Sequence, residues 1–333
     1  MNAPPENPVY DAVLAYQRTA ALTAAVKLDI FTLIGAGTMT ADALATHTGA
    51  SSRGLRILCD YLTVIGLLAK QDSSYGLTPS ARRFLDRSSP LAFGSCIDFL
   101  AAPEMLTLAL NDPVSYVRRG GSTGLANLAS DHPIWVRFAN AMVPLAAPVA
   151  KRVAAYVAAL PTLPRTVLDV AAGHGLYGIE VARAVPEAVV TAVDWAEVLA
   201  VAQENARGAQ VDDRFRTVVG SAFDAEWGRG FDLVLLPNFL HHLGRDECVT
   251  LLRKVKASLS PTGQVLAVEF VPNADRVSPP LQAAFAFLML VSTPSGDAYT
   301  TGDLDEIARL AGFSGATARP LPPTPQTLVV FAS

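Results

Sequence analysis

From Arg165 onward, short β-branched runs alternate with helical stretches, and this alternation limits the possible folds more than any other feature. Strands are predicted over 166–170, 189–193, 216–219, 232–236 and 264–270. Strands that alternate with helices predict a mostly parallel sheet covered by helices on both faces. Two more runs, 316–319 and 328–331, flank a Pro-rich turn and predict an antiparallel hairpin at the sheet edge. The sequence therefore predicts an α/β domain over residues 161–333.

The residues before this domain are mainly helical. Residues 9–28 carry apolar side chains at helical spacing, Thr40 precedes a short predicted helix, and Ser51 precedes a second one that runs to about Ile65. Two short strands, 67–70 and 75–78, then predict a wing. The pattern indicates a winged-helix-like domain over residues 1–90.

Residues 91–160 form a third predicted segment, which is helical and apolar with a break at Gly120-Gly121-Ser122. Its helices are apolar around much of their circumference, most clearly over 139–160, and such helices must be buried. Either a subunit interface or a large intramolecular core explains this pattern. We favour a homodimer formed by residues 9–30 and 93–160.

Charge and hydropathy narrow the partners. The chain of 333 residues has a net charge of −4, which gives no electrostatic reason to bind nucleic acid or an anionic membrane. The winged-helix shape keeps a ligand-responsive DNA-binding regulator as an alternative, but its second helix offers only Arg53 and Arg56. The longest apolar run, around 283–291, is too short to span a bilayer.

The N-terminus and the cysteines bear on the compartment. Glu6 and Asp11 do not suit a secretory signal. The three cysteines have neither metal-ligand spacing nor an even count for disulfides: Cys59, Cys96 and Cys248. We interpret them as buried thiols in a cytoplasmic protein.

The turn after the first strand of the α/β domain indicates a cofactor cleft. Gly173 and Gly175 let backbone N–H groups approach a ligand, and with Gly178 they match the dinucleotide fingerprint, although a plain strand–helix turn also uses glycines. Asp194 ends the second strand, where a carboxylate accepts both hydroxyls of a ribose or caps the next helix. Nicotinamide and S-adenosylmethionine sites both have this arrangement.

Context favours S-adenosylmethionine. Asp169 precedes the glycines, where dinucleotide sites are usually apolar, and the βα unit begins in mid-chain. After the fourth strand comes Leu235-Leu236-Pro237-Asn238-Phe239-Leu240-His241-His242-Leu243, at the edge of the sheet where α/β proteins bind ligands.

With these motifs the chain resembles the class I S-adenosylmethionine-dependent O-methyltransferases of the caffeic acid and acetylserotonin type. The similarity covers nearly the whole chain, with residues 1–90 similar to the family's dimerisation domain and 138–142 to its linker motif. The resemblance implies cofactor contacts from Asp169, Gly173, Gly175, Asp194, Trp195, Ser221, Ala222, Phe223 and Asn238. Ala171 stands where a glycine is commoner, and Ser221 and Ala222 replace an acid and a methionine in the adenine site.

The resemblance also implies the chemistry. Methyl transfer is an in-line displacement that needs no metal, but a hydroxyl acceptor must lose its proton, and a positioned histidine does this near neutral pH. His241 matches the family's base and Glu269 the acid that orients it. The second acid falls at Ala298, so the adjacent Asp297 is the predicted substitute. Glu269 as a strand-end carboxylate and Asp297 as a turn residue are the simpler alternatives.

His242 takes the place of an aspartate and is predicted to contact the acceptor, as is Met142 through the linker motif. In many other small methyltransferases, however, a Leu-His-His-Leu segment only packs against the sheet. We expect O-methylation of a small hydroxylated, aromatic or polyketide-like acceptor. C-methylation and a cofactor-binding relative with another reaction remain the alternatives.

Overall fold

The structure is a computed structural model that describes residues 7–332, apart from the side chains of residues 126 and 127. Two parts of the predicted domains lie outside the described residues: residues 1–6, which include Glu6, and residue 333. The chain divides into two compact units, and the boundary along the sequence falls between Ala102 and Pro103. The sequence predicted three segments instead, with boundaries at residues 90 and 160.

The first unit is a small helical domain with one three-stranded sheet. Its elements are α1 (Pro8–Val13), α2 (Ala15–Lys27), α3 (Ile30–Gly35), β1 (Met39–Thr40), α4 (Ala41–Thr48), α5 (Ser52–Val64), β2 (Leu68–Gln71), β3 (Ser74–Leu77), α6 (Pro79–Phe84) and α7 (Ile97–Leu100). Thr40 and Ser51 accept hydrogen bonds from the first turns of α4 and α5, as predicted. β2 and β3 form the predicted hairpin, and β1 adds an unpredicted third strand beside β3. The predicted helical stretch 9–28 divides at Leu14 into α1 and α2.

The second unit begins with α8 (Pro103–Leu110), α9 (Pro113–Arg119) and the long α10 (Pro133–Ala158). With 26 residues and a mean hydropathy of 1.2, α10 could cross a membrane by length and composition alone. It is a longer apolar helix than the run predicted at 283–291, although Lys151 and Arg152 interrupt it. Its second half lies in the core of this unit, where Val149, Val153 and Val157 are fully buried. Because α10 packs there, the helical segment belongs to the same unit as the sheet.

Seven strands form the large sheet: β4 (Thr166–Val170), β5 (Val189–Asp194), β6 (Phe215–Val219), β7 (Phe231–Pro237), β8 (Leu259–Glu269), β9 (Gly315–Pro320) and β10 (Thr327–Ala332). Their order is β6-β5-β4-β7-β8-β10-β9. The first five are parallel, and β10 runs antiparallel to β8 and β9, which confirms the predicted hairpin. The fold class predicted from the alternation is confirmed.

Helices cover both faces of this sheet: α11 (Leu176–Ala184), α12 (Ala196–Gly208), α13 (Arg245–Ser258) and α15 (Thr301–Leu310). The helix α14 (Pro280–Ser292) packs against α8 and α9 instead. One buried apolar cluster joins α10, α11 and α12 to the sheet, and the other joins α13 and α15 to it. The strand order reverses between β4 and β7, so a crevice opens at their carboxyl ends, where open α/β sheets bind ligands. The turn after β4 and the turn after β7 flank this crevice.

Candidate active site

The turn after β4 leaves open space beside Gly173, whereas Gly175 and Gly178 pack closely against neighbouring side chains. Gly173 and Gly175 have φ angles of 57° and 74°, which favour glycine. A Cβ at Gly175 would lie 2.9 Å from Ala202 Cβ, and one at Gly178 would lie 2.7 Å from Val190 Cγ1. At Gly173 the nearest atom would be 4.0 Å away, so this position opens onto free space. The turn therefore offers the backbone of Gly173 to a ligand.

Asp169 is completely buried at the end of β4. Its Oδ2 accepts a hydrogen bond from the Gly178 N–H at 2.9 Å, whereas its Oδ1 has no partner among the described residues. Burial, with a smaller contribution from the charge of Asp194, raises the pKa of Asp169 well above its usual range. A buried oxygen without a partner costs free energy unless a ligand supplies a donor.

Asp194 holds the glycine turn rather than the helix after it. Its Oδ2 accepts from the Gly173 N–H at 2.8 Å and its Oδ1 from the Trp195 N–H at 2.7 Å. The N-cap of α12 is Trp195, which is half-buried, so Asp194 does not cap that helix. Burial raises the pKa of Asp194. Each oxygen can accept a further hydrogen bond, which leaves room for ribose hydroxyls.

The loop after β6 carries the predicted adenine contacts. The Ser221 hydroxyl accepts from the Phe223 N–H at 3.1 Å. Lys254 Nζ on α13 donates to the carbonyls of Ala222, Phe223 and Ala225 at 3.2, 2.8 and 2.8 Å, and it lies 3.9 Å from the ring centroid of Trp227. No sequence pattern predicts this role of Lys254, because the spacing of residues in an amphipathic helix does not show which lysine binds a loop far away in sequence.

Asn238 follows β7 on the other side of the crevice, with φ of 54°. Its Nδ2 donates to the Tyr177 hydroxyl at 2.9 Å, and its buried Oδ1 has no partner among the described residues. Tyr177, a second missed residue, thus fixes the amide of Asn238. The unpartnered oxygens of Asp169 and Asn238 and the open Gly173 fit a ligand with several donor groups, as S-adenosylmethionine has.

His241 lies in a 3₁₀ turn, Leu240–His242, at the mouth of the same crevice. Its ring is buried, and its Nδ1 lies 2.5 Å from Glu269 Oε2, while Glu269 Oε1 accepts from the Leu240 N–H at 2.9 Å. Nε2 makes no hydrogen bond to any described residue. A carboxylate on Nδ1 places the proton there and leaves the Nε2 lone pair free to accept a proton.

The ring of His242 lies beside that of His241, with the two centroids 4.4 Å apart and the planes tilted by 49°. It is half-buried, yet desolvation and then the charge of His241 lower its pKa well below the usual range. It is therefore a neutral group at neutral pH. Phe285 and Phe270 lie beside His241, with centroids 4.8 and 6.5 Å from its ring, and stack on each other at 4.1 Å.

Asp297 makes no hydrogen bond to His241 in the part of the chain that the structure describes. It is partly exposed and accepts from Arg276 Nη1 at 3.1 Å. Ala298 is buried. Met142 lies half-buried on α10. The roles of Asp297 and Met142 stay predictions.

Comparison with known proteins agrees with this geometry. The O-methyltransferase domain family matches residues 107–314, and the O-methyltransferase dimerisation domain family matches residues 10–87. A crystal structure of a Nostoc punctiforme protein assigned to the O-methyltransferases is 44% identical, covers 99% of this chain and 100% of that chain, and superposes with a TM-score of 0.92.

Two curated relatives come from Streptomyces. The tetracenomycin polyketide synthesis 8-O-methyl transferase of Streptomyces glaucescens is 27% identical, over 92% of this chain and 91% of its own length. The 3-hydroxy-5-methyl-1-naphthoate 3-O-methyltransferase of Streptomyces sahachiroi is 28% identical, over 91% and 88%. The family uses S-adenosylmethionine, which confirms the predicted cofactor. The chain thus belongs to the S-adenosylmethionine-dependent O-methyltransferases and carries their dimerisation domain at its N-terminus.

Proposed function

We propose that the protein methylates a hydroxyl group of a small aromatic acceptor, with His241 as the general base and Glu269 as its orienting acid. The observation that carries this proposal is the arrangement around one ring: Glu269 binds Nδ1 of His241, and Nε2 is left without a protein partner. A base needs one nitrogen fixed and the other free, and this ring meets both conditions.

The residues of the chain then act in a defined order. Nε2 of His241 takes the hydroxyl proton, and the carboxylate of Glu269 stabilises the imidazolium that results. The second oxygen of Glu269 holds the backbone of Leu240, so the same side chain fixes both ring and turn. S-adenosylmethionine supplies an activated methyl group when bound, and alignment of the acceptor oxygen with it supplies several kcal/mol of the rate enhancement.

The cofactor residues divide by the donors they suit. Asp194 suits the ribose hydroxyls, and the loop Ser221–Phe223 suits the adenine. Asp169 and Asn238 each present a buried oxygen without a partner, which suits an ammonium group or a bridging water. Burial raises the pKa of Asp169 well above its usual range.

The acceptor class follows from the aromatic side chains beside the base and from the relatives. The stacked rings of Phe270 and Phe285 next to His241 favour a flat, apolar acceptor. The two Streptomyces relatives are named for a hydroxynaphthoate and a polyketide. We therefore place a fused-ring phenol in this site, with His242 and Met142 as further acceptor contacts.

A defined panel tests this function. Hydroxynaphthalenes, hydroxynaphthoates and hydroxyanthraquinones are incubated with methyl-labelled S-adenosylmethionine, and mass spectrometry locates the methyl group. An O-methyl product that His241→Ala forms at least 100-fold more slowly supports the proposal. Methylation on carbon, or no labelled product from any phenol, contradicts it.

We also propose a homodimer in which the exposed apolar side chains of the first unit are covered. Val9, Tyr10 and Val13 on α1 are 67%, 68% and 65% exposed. Such a row of large apolar side chains marks an interface in a soluble protein, and the dimerisation domain over residues 10–87 supports this role. Val114 and Val117 on α9, in the second predicted interface region, are also exposed.

Light scattering tests the dimer. The wild-type chain should have a dimer mass at micromolar concentration, and Tyr10→Lys/Val13→Asp should shift it toward the monomer. Thr46→Lys, on the polar side of α4, is the control that should leave the mass unchanged. A monomer mass for the wild type would rule the dimer out.

A further inference from the structure

The main chain of the His241 turn is held by side chains that the general-base assignment does not include. Glu269 accounts for the N–H of Leu240 only. Behind the turn, the buried thiol of Cys248 on α13 donates to the Leu240 carbonyl at 3.3 Å. Burial raises the pKa of Cys248 to about 12, so the thiol keeps the proton that it donates.

A tyrosine holds the other end of the turn. The Tyr299 hydroxyl donates to the Leu243 carbonyl at 2.6 Å, and the side chain is buried. Desolvation raises the pKa of Tyr299, so it too remains a donor. This bond is shorter than most neutral hydrogen bonds and joins the turn to the segment before α15.

A glycine lies against the middle of the turn. A Cβ at Gly296 would be 2.2 Å from the His241 carbonyl oxygen and 2.6 Å from Thr293 Oγ1. The Gly296 N–H donates to that Thr293 hydroxyl at 2.8 Å, which keeps the loop in place. Only a residue without a side chain can approach the His241 backbone so closely.

We propose that Cys248, Gly296 and Tyr299, here called the turn brace, are positioning residues that fix the backbone of His241. This inference rests on the proposed role of His241 as the base. Glu269 sets the rotation of the ring, but a ring so oriented still moves with its turn. The brace removes that freedom, and a displacement of about 1 Å at a reacting group can cost about 100-fold in rate.

The brace also gives a role to the segment at which this chain departs from its family. The family resemblance places a second acid at position 298, where this chain has the buried Ala298. Two residues close to it in sequence contact the turn that carries the base instead. Gly296 packs against the His241 carbonyl, and Tyr299 donates to the Leu243 carbonyl. The segment therefore contacts the turn of His241 through the backbone, at the position where the family has a carboxylate.

The test uses Tyr299→Phe, which removes one hydroxyl group and keeps the packed aromatic ring. The matched control is Tyr75→Phe in the first unit, where a buried hydroxyl donates to Asp60 at 2.7 Å. On the acceptor identified by the panel, Tyr299→Phe should lower kcat about tenfold, with KM and the Kd of S-adenosylhomocysteine within about twofold. Tyr75→Phe should leave kcat within about twofold.

The same substitution in a His241→Ala background separates positioning from general damage. If the brace acts through His241, Tyr299→Phe should cause no further loss of kcat there. A tenfold loss in both backgrounds, or unchanged kcat for Tyr299→Phe beside a 100-fold loss for His241→Ala, would overturn the brace. Full activity of His241→Ala would refute the general-base role of His241, and this measurement does not depend on Tyr299.

A second measurement needs no acceptor. Hydrogen exchange of the full chain with S-adenosylhomocysteine, followed by mass spectrometry, reports the opening of residues 239–244. Exchange there should be about tenfold faster in Tyr299→Phe and unchanged in Tyr75→Phe. Equal exchange in both variants and the wild type would overturn the inference.

Discussion

The turn after β4 and the 3₁₀ turn that carries His241 lie at the same edge of the sheet, yet their polar groups differ in how fully they are paired. Beside the β4 turn, a buried oxygen of Asp169 has no partner among the described residues, and burial raises the pKa of both Asp169 and Asp194. Around His241, Glu269 binds Nδ1 and the Leu240 N–H, Cys248 binds the Leu240 carbonyl, and Nε2 makes no hydrogen bond to a described residue.

This difference separates binding from catalysis. A binding region gains affinity when a ligand satisfies groups that the fold has left unpaired. A catalytic region gains rate when every group but one is already held in place.

Replacing His241, whose Nε2 is free to accept a proton, should have the largest effect. His241→Ala should lower kcat about 100-fold or more at neutral pH, with the Kd of S-adenosylhomocysteine nearly unchanged. The loss should shrink at high pH, because a phenol then ionises without a base. Steady-state kinetics and calorimetry on the same preparation measure both quantities, and full activity at neutral pH would remove the contrast between the turns.

Asp194→Ala should affect binding instead. Without the carboxylate, ribose hydroxyls have no acceptor in a partly dry cleft, and we expect affinity for S-adenosylhomocysteine to fall about 10- to 100-fold. Asp297→Ala is the matched control, since that carboxylate is exposed and paired with Arg276. Calorimetry that shows equal affinities for wild type and Asp194→Ala would refute the ribose assignment.

His174, in the β4 turn, should make stability depend on pH. Burial lowers its pKa to about 4, and its Nδ1 accepts from the Leu176 N–H. The unfolded chain binds a proton at about pH 6.5 and the folded chain does not, so stability falls as the pH decreases from 6.5 toward 4. Between pH 6.5 and 5.5 this amounts to about 1 kcal/mol.

Denaturant unfolding of the wild type and of His174→Asn, in which an amide oxygen can replace Nδ1 as acceptor, checks this. The variant should lack that part of the pH dependence. Identical slopes for the two proteins over this range would show that His174 titrates normally.

The smallest effect is expected at His242. Its pKa lies well below the usual range, so it is neutral and does not share the charge that His241 acquires. His242→Ala should lower kcat less than about fivefold and raise the KM of the acceptor more than it lowers kcat. A 100-fold loss of kcat would instead make the two histidines a joint base.

The parts of this site that the sequence predicted are those carried by local patterns. β-branched runs predicted the strands within one residue at each end, except that β8 begins at Leu259, five residues before the predicted start, and the glycines predicted the turn after β4. The order of Asp169, Asp194 and Asn238 along the chain then placed all three at one sheet edge, because parallel strands end together.

The remaining contacts join residues far apart in sequence and follow no short-range pattern. Tyr177 and Asn238, Lys254 and the loop after β6, and Tyr299 and Leu243 meet only once the sheet is assembled. The N-cap alternative for Asp194 shows a limit of the opposite kind. The spacing to α12 fitted a cap, but the side chain bonds back to Gly173 on the neighbouring turn.

Lys254 binds the loop of residues 222–225, which we propose contacts the adenine, and these hydrogen bonds affect how the cofactor associates. Nζ of Lys254 has three protons and binds three carbonyls of residues 222–225, so this loop loses its conformational entropy when the chain folds. If this loop binds the adenine as we propose, the adenine meets a surface that is already ordered, and less of its binding free energy is lost to ordering the loop. On this basis the loop should keep the same slow hydrogen exchange with and without cofactor, whereas Lys254→Met should make its order depend on the ligand.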